Sequence, residues 1–233
     1  MKRALFSRMI RTAVADVPSS YRTTVRWLPK IGDFVPNFRA ETTMGPLTFH
    51  PWAEGQWTVL FSHPKAYTPV CTTEVASLAA LHGEFRRRGV QILGLCASSL
   101  EEQLTWHHEI AQIFGHSVRF PMISDVDGEL AQLMGMVHGK EHEDWPIRKT
   151  LIIDPGLKVR AISEYPMVVG RSSEETLRLI DALQRVTAFR VVTGADWEKG
   201  DRVMLHPGVD APPALFARQV RPYLVACDDP MGS

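Results

Sequence analysis

The 233-residue sequence has no excess of either charge, few cysteines and no long apolar run. Its 26 Lys and Arg residues balance 26 Asp and Glu residues, which excludes a broadly basic nucleic-acid-binding protein and a polyacidic tail protein. Three cysteines, an odd number, exclude a fully paired disulfide scaffold and favour a reducing compartment. The longest apolar runs, such as residues 90–100, are too short to span a bilayer. We therefore expect neither a nucleic-acid partner nor a membrane partner.

Motifs that bind nucleotides or metal ions are also missing. The sequence contains no G-x-G-x-x-G and no Walker motif, so no phosphate-binding loop is predicted. His138 and His142 are four residues apart, but no third ligand accompanies them and Gly139 weakens a helix between them. A solvated loop is the simpler interpretation of this pair. We expect no metal ion and no organic cofactor.

Residues 1–30 differ in composition from the rest of the chain. Six Lys or Arg residues stand against the single acid Asp16 between residues 1 and 29. No apolar core with a small-residue cleavage site follows, so the segment does not resemble a secretory signal. An Arg-rich, acid-poor segment is also typical of an organelle transit peptide. We interpret it as a basic, partly ordered leader, with organelle import left open.

The middle of the chain alternates between strand and helix patterns. Short apolar runs typical of buried strands occupy residues 57–62, 90–96, 148–153 and 158–164. Helical spacing or helix-start signals occupy residues 71–88, 99–114, 125–136 and 173–185. Strands alternating with helices predict an α/β fold with a mixed central sheet and flanking helices. The last two strands are expected to form an antiparallel hairpin.

The helical pattern stops near residue 190. Glycines and prolines punctuate the remainder, including Gly200, Pro207, Pro212 and Pro222. Such a loop-rich arm rarely buries a core of its own, so it should pack on the main domain or on a partner subunit. We predict a main domain at residues 31–190 and a C-terminal arm at residues 191–233.

The most informative stretch is FSHPKAYTPVCTTE, residues 61–74. Cys71 follows Pro69 and Val70 at the predicted start of a helix, where free backbone N–H groups and the helix dipole favour a thiolate. Thr68, three residues upstream, is close enough for its hydroxyl to reach the sulfur or a ligand beside it. A thiolate surrounded by donors suits attack on a peroxide, because negative charge builds on the departing oxygen. The sulfur would become a sulfenic acid.

These residues carry a resemblance to a known family. Pro64-x-x-x-Thr68-x-x-Cys71 resembles the peroxiredoxin active-site signature, and HPKAYTPVCTTE is similar to the one-Cys branch of the AhpC/TSA family, the branch of peroxiredoxin-6. The resemblance runs from about residue 31 to about residue 207. It includes the blocks WPIRKTLIIDP, YPMVVGR and DWEKGD. It implies a thioredoxin-like fold, a C-terminal dimerisation arm and thiol peroxidase activity.

The resemblance also implies roles for individual residues. Cys71 corresponds to the peroxidatic cysteine and Thr68 to the hydroxyl donor. Arg148 corresponds to the activating arginine, a permanent cation with several donors. Pro64 would keep bulk solvent away from the sulfur.

Three further positions match supporting residues of the family. Glu74 and Arg171 correspond to a pair that holds the arginines in place, and His63 corresponds to a histidine near the sulfur. In the family's two-Cys members a resolving cysteine occupies the position of Thr193, so this chain fits a one-Cys cycle. Cys227 is a candidate resolving thiol, although a free tail thiol is the simpler interpretation.

The sequence thus predicts a thiol-dependent peroxidase that serves antioxidant defence and redox homeostasis. Cys71 would reduce hydrogen peroxide or an organic hydroperoxide, and an external thiol such as thioredoxin or glutathione would reduce the sulfenic acid. Cys96, at the end of an apolar strand, is interpreted as a small core residue. We expect a cytoplasmic homodimer formed through the arm, and whether dimers join into a ring stays open.

Two other functions remain open at this point. A thiol-disulfide oxidoreductase on the same fold usually needs C-x-x-C, whereas Thr72, Thr73 and Glu74 follow Cys71. A redox-switch chaperone or signalling protein would use oxidised Cys71 once, without turnover. Assays with a disulfide substrate, and with peroxide under excess reductant, separate the three functions.

Overall fold

The structure is a computed structural model that describes residues 28–206, 209, 217–221 and 223–232. Nearly all of the predicted basic leader therefore lies outside the described residues. The chain divides into two compact units, the first ending at Ser173 and the second beginning at Glu174. The predicted division between residues 190 and 191 falls inside the second unit. Among the described residues, no helix combines the length and the apolar character needed to cross a membrane.

A seven-stranded mixed sheet forms the centre of the first unit. Its strands are β1 (Arg39–Thr42), β2 (Gly45–Thr48), β3 (Trp57–Ser62), β4 (Val90–Cys96), β5 (Met122–Ser124), β6 (Arg148–Ile153) and β7 (Val159–Tyr165). They lie in the order β2-β1-β5-β4-β3-β6-β7. Strands β3, β4 and β5 are parallel, and β6 pairs antiparallel with both β3 and β7. The predicted mixed sheet and its late hairpin are confirmed.

In the part of the chain that the structure describes, five helices accompany the strands. They are α1 (Phe49–Ala53), α2 (Pro69–Arg87), α3 (Leu100–Phe114), α4 (Glu129–Leu133) and, in the second unit apart from its first residue, α5 (Ser173–Ala188). Helix α3 begins with a capping box, in which Ser99 and Glu102 satisfy each other's backbone N–H groups. It ends at Gly115, whose φ of 75° is left-handed. These signals explain why its predicted bounds agree with the structure.

The helix predicted over residues 125–136 is much shorter in the structure. Gly128, with a φ of 69°, precedes α4 as its N-cap, and the helix ends at Leu133. The carboxylate of Asp125 accepts hydrogen bonds from the backbone N–H groups of Leu130 and Ala131. Asp125 therefore anchors the start of the helix from outside it, so the prediction of a helix from residue 125 was wrong.

Buried apolar residues from the sheet and from the segments that cover it form the core of the first unit. All six residues of β3 and all six of β6 are buried. Gly94 in β4 leaves no room for a side chain, because Met122 and Phe61 fill the space that a Cβ atom would need. This packing fixes the ends of β3 and β6, where the residues around Cys71 lie.

The second unit contains more regular structure than the loop-rich arm that we expected. A four-stranded antiparallel sheet has the order β10-β11-β9-β8. Its strands are β8 (Val191–Val192), β9 (Val203–Leu205), β10 (Ala217–Arg221) and β11 (Leu224–Cys227). A small apolar cluster within this unit includes Ala182, Trp197, Val203 and Cys227. Ala182 belongs to α5, within the predicted main domain, so the predicted arm packs its apolar residues against this helix. The strands of the arm, two to five residues long, are too short to show an alternating pattern in the sequence.

Candidate active site

Cys71 lies at the start of α2, where the sequence places it. The chain leaves β3 at Ser62, passes through a short loop and enters α2 at Pro69, which needs no N–H partner at the first helical position. Cys71 is the third residue of the helix and is fully buried. Cys71 therefore lies in the first turn, where the backbone N–H groups have no helical partner and the helix dipole is positive.

Arg148 brings a guanidinium group to the sulfur. It is the first residue of β6 and is 2% exposed. Its Nη1 lies 3.4 Å from Sγ of Cys71 and donates to Oε2 of Glu74 at 2.7 Å. Its Nε and Nη2 donate to the carbonyl oxygen of Met167 at 2.9 and 2.7 Å. The cation is thus held in one orientation, with one nitrogen directed at the sulfur.

Glu74 holds two arginines together. It lies three residues after Cys71, so its side chain is on the same side of α2. Arg171 donates to Glu74 through Nε, Nη2 and its backbone N–H, over 2.8 to 2.9 Å. Burial alone would raise the pKa of Glu74, but the hydrogen bonds and charge of Arg171 and the charge of Arg148 outweigh it and lower the pKa. The buried carboxylate therefore stays ionised near neutral pH.

Thr68 and Pro64 lie in the loop before α2. The Thr68 hydroxyl donates to the carbonyl oxygen of Lys65 at 3.1 Å. Its donor proton is therefore directed at the loop, and donation to a peroxide requires the hydroxyl to rotate. Pro64 is buried, and its carbonyl accepts the backbone N–H of Ala97 at 3.3 Å. The hydrogen bond holds this part of the loop beside the end of β4.

His63 lies against aromatic rings behind the loop. It is fully buried, and its ring centroid lies 5.5 Å from that of Trp106 and 6.1 Å from that of Phe61. Neither ring nitrogen of His63 has a hydrogen-bond partner among the described residues. Trp106 donates its Nε1–H to the hydroxyl of Thr72, the residue after Cys71. Helix α3 therefore supports the first turn of α2.

The other two cysteines are also buried. All three thiols are free. Cys96 is buried at the end of β4, and Cys227 is buried at the end of β11 in the apolar cluster of the second unit. Burial and the charges of Asp228 and Asp229 raise the pKa of Cys227. Among the described residues, Cys71 is the one cysteine whose sulfur contacts a guanidinium group.

The histidine pair considered as a metal site is not part of a ligand cluster. In the described part of the chain, no three His, Cys, Asp or Glu side chains are grouped to hold a metal ion. Nδ1 of His142 accepts the backbone N–H groups of Asp144 and Trp145. Its ring also stacks on Trp145, with centroids 4.3 Å apart. This histidine therefore organises its own loop.

Sequence reasoning did not identify two contributors to this arrangement. Met167 acts through its backbone carbonyl, which carries no signal in the residue type. Trp106 occupies an ordinary buried position on α3, and its contact with Thr72 depends on how two helices pack. Both contributions arise from tertiary structure.

The fold is α/β with a mixed sheet, a buried cysteine lies at a helix start, and a guanidinium group contacts its sulfur. These features are those of a thiol-dependent oxidoreductase. The chain belongs to the AhpC/TSA family, which it matches over residues 31–162.

Individual relatives agree with this assignment. The chain is 38% identical over 200 residues to peroxiredoxin-6 of Rattus norvegicus, covering 82% of this chain and 88% of the relative. It superimposes on the peroxiredoxin 6 of Arenicola marina, determined as a cysteine-to-serine mutant, with a TM-score of 0.81 and 36% identity, covering 86% and 98% of the two chains. A yeast mitochondrial 1-Cys peroxiredoxin gives a TM-score of 0.80 at 36% identity, covering 86% and 100%.

These similarities confirm the resemblance seen in the sequence. The protein has the thioredoxin-like fold of the peroxiredoxins and resembles their one-Cys branch. It is a thiol peroxidase.

Proposed function

We propose that Cys71 is the nucleophile that attacks the peroxide, and that Arg148 activates it. The observation that carries this proposal is the 3.4 Å contact between Nη1 of Arg148 and Sγ of Cys71, made by a guanidinium with three further hydrogen bonds. A fixed cation beside the sulfur favours the thiolate. The same cation then faces the oxygen that leaves.

The reaction transfers one oxygen atom to the sulfur. The Cys71 thiolate attacks the terminal oxygen of the hydroperoxide, an S–O bond forms and the O–O bond breaks. The sulfur is oxidised to a sulfenic acid, and the peroxide is reduced to water or an alcohol once the leaving oxygen gains a proton. The step needs no metal ion or organic cofactor.

Glu74 and Arg171 act as positioning residues in this proposal. Arg171 binds Glu74 through both carboxylate oxygens, and Glu74 in turn binds Nη1 of Arg148. The carboxylate restrains the nitrogen that faces the sulfur. A restrained donor needs little reorganisation when charge develops, which is the condition for strong electrostatic stabilisation.

Thr68, Pro64 and His63 shape the pocket around the sulfur. Rotation of the Thr68 hydroxyl away from Lys65 would supply a neutral donor to the peroxide. Buried Pro64 and His63 exclude water from the pocket, which strengthens every charge interaction inside it.

An external thiol completes the proposed cycle. Two equivalents of thiol reduce the sulfenic acid to the Cys71 thiol, and they leave as a disulfide together with water. The apolar packing and raised pKa of Cys227 support a structural role for this cysteine rather than a resolving one. The structure of the yeast relative concerns resolution through glutathione and thioredoxin systems, and a reductant of either kind fits a chain without a resolving cysteine at position 193.

We also propose a homodimer in a reducing compartment, the cytoplasm by default. Exposed apolar residues in the second unit, including Tyr223 at 80% and Val220 at 45% exposure, support an interface formed by this part of the chain. Three free thiols support a reducing environment. The yeast relative is mitochondrial. The alternative location is therefore an organelle, reached by import that the basic leader directs.

Matched cysteine variants test the proposal. Cys71→Ser should abolish peroxide consumption with excess thiol, whereas Cys96→Ser should retain it, because Cys96 is a buried core residue at the end of β4. Thermal unfolding of both variants checks that the fold is intact. Peroxide turnover in Cys71→Ser would refute the assignment.

A further inference from the structure

An open cleft of about 540 Å³ lies on the first unit, lined by the second half of α2 and the segment that follows α3. Its polar lining is basic. His82 and Arg86 come from α2, and His116 and Arg119 come from the other side, with the hydroxyl residue Ser117 between them. No lining residue is acidic. The cleft shares no residue with the site around Cys71.

The two arginines of this cleft lack carboxylate partners among the described residues. On α2 the nearby Glu84 binds Arg87 and Arg88, and no ion pair involves Arg86 or Arg119 in the described part of the chain. The whole sequence has equal numbers of acidic and basic residues. The positive charge of the cleft is therefore a local feature, because the overall composition of the chain has no basic excess that would explain it.

The basic groups also lie close enough to influence one another. His82 is partly buried, with its ring centroid 5.9 Å from that of Phe120. Burial, and then the charges of Arg86 and Arg119, lower the pKa of His82. Among the described residues, the charges that act on His82 are those of these two arginines, one on its own helix and one on the segment after α3. An anion bound between them would relieve this repulsion.

Helix dipoles alone do not explain the cluster. Arg86 lies in the last turn of α2, where a basic residue is favourable. Arg119 is four residues beyond Gly115, which caps α3, and the dipole effect falls off within a single turn. Arg119 nevertheless lines the same cleft as Arg86.

We propose that this cleft binds a small phosphate-bearing molecule with at least two negative charges. Guanidinium groups match phosphate oxygens in geometry and charge. The cleft volume lies within the usual range of small-molecule sites. The zero net charge of the chain argues for a compact anion rather than a nucleic acid. This inference is independent of the peroxidase proposal.

Calorimetric titration of the full chain at low ionic strength tests this site. Inorganic pyrophosphate and fructose 1,6-bisphosphate are the two probes, and the tighter one shows whether the cleft prefers an inorganic or an organic phosphate. The double variant Arg86→Gln/Arg119→Gln should weaken binding at least about tenfold, because two charge-assisted contacts are lost. Arg87→Gln, on the same helix but outside the cleft, should stay within about twofold of the wild type.

NMR supplies a second readout that a change in folding would not mimic. Pyrophosphate should raise the pKa of His82 in the wild type, because the bound anion offsets the two arginine charges, and it should not do so in the double variant. Peroxide consumption should be unchanged in all these variants. Absence of binding by both probes, unchanged affinity in the double variant, or tighter binding of duplex DNA than of either probe would overturn the proposal.

Discussion

Glu74 and Arg148 form an ion pair of 2.7 Å in which both side chains are less than 5% exposed. Glu74 lies one helical turn after Cys71 in α2, and Arg148 is the first residue of β6 in the central sheet. The pair therefore connects the helix that carries the sulfur to the strand that carries the cation. Its energetic and chemical effects can be separated by substitution.

Glu74→Gln should destabilise the protein and slow its oxidation by peroxide. Removing one partner of a buried ion pair costs about 3 to 5 kcal/mol, because the other charge stays buried without compensation. Chemical denaturation measures this loss, and stopped-flow oxidation measures the rate. The control is Glu84→Gln on the same helix, whose more exposed pairs with Arg87 and Arg88 predict near-wild-type stability. Equal stability of the two variants would contradict the proposed role of Glu74.

Arg148→Ala should slow the oxidation of Cys71 by about two to three orders of magnitude, the usual effect of losing a donor to a developing oxyanion. Single-turnover oxidation with excess peroxide measures this rate directly. Arg148→Lys keeps a positive charge, but a single ammonium group cannot contact Met167, Glu74 and the sulfur at once. Its oxidation rate should therefore lie between those of the wild type and Arg148→Ala. An unchanged rate in Arg148→Ala would remove Arg148 from the mechanism.

Thr68→Val should reduce the oxidation rate about ten- to a hundredfold, because a hydroxyl that donates to a charged oxygen contributes about 1.5 to 3 kcal/mol. Thr68→Ser, which keeps the hydroxyl, should stay close to the wild type. The same single-turnover assay applies to both variants. A Val variant as fast as the Ser variant would show that the hydroxyl serves only its hydrogen bond to Lys65.

The contribution of His107 to stability should be lost between pH 6.5 and pH 4. Burial, and then the charge of His63, lower the pKa of His107 from 6.5 to about 4. In this range the unfolded state binds more protons than the folded state, so the contribution of His107 is full above pH 6.5 and is lost as the pH falls. The loss is of the order of 3 kcal/mol at its limit.

Denaturant midpoints measured across this pH range test the effect of His107. His107→Gln should flatten the pH dependence of stability, because the side chain no longer titrates. His108→Gln, at the exposed neighbouring position, should retain the wild-type dependence. Identical curves for the two variants would show that other groups control the acid sensitivity.

The long elements of the fold could be predicted because their signals are local. Helix α3 has a capping box at its start and a glycine just after its end, so its bounds follow from residues at or beside its ends. The sequence does not predict the hairpin of β1 and β2, whose strands have four residues each, or the three-residue β5. Elements this short are defined by their pairing with distant strands, which a sequence pattern does not reveal.

The active site also has residues that a local pattern predicts and residues that only tertiary structure brings together. Thr68 and Cys71 lie within one contiguous motif, and the start of a helix already explains their chemistry. Arg148 is 77 residues from Cys71 in sequence, and only the family resemblance brought it into the prediction. The contacts of the Met167 carbonyl and of Trp106 depend on tertiary packing, so no local pattern could indicate them.

The most direct test of the account is peptide mapping by mass spectrometry after one equivalent of hydrogen peroxide, with the sulfenic acid trapped chemically. We predict the adduct of the trapping reagent on the peptide that contains Cys71 and unmodified peptides for Cys96 and Cys227. Oxidation of either other cysteine, with Cys71 left as a thiol, would contradict the account. A disulfide between Cys71 and Cys227 would retain Cys71 as the nucleophile but overturn the one-Cys cycle.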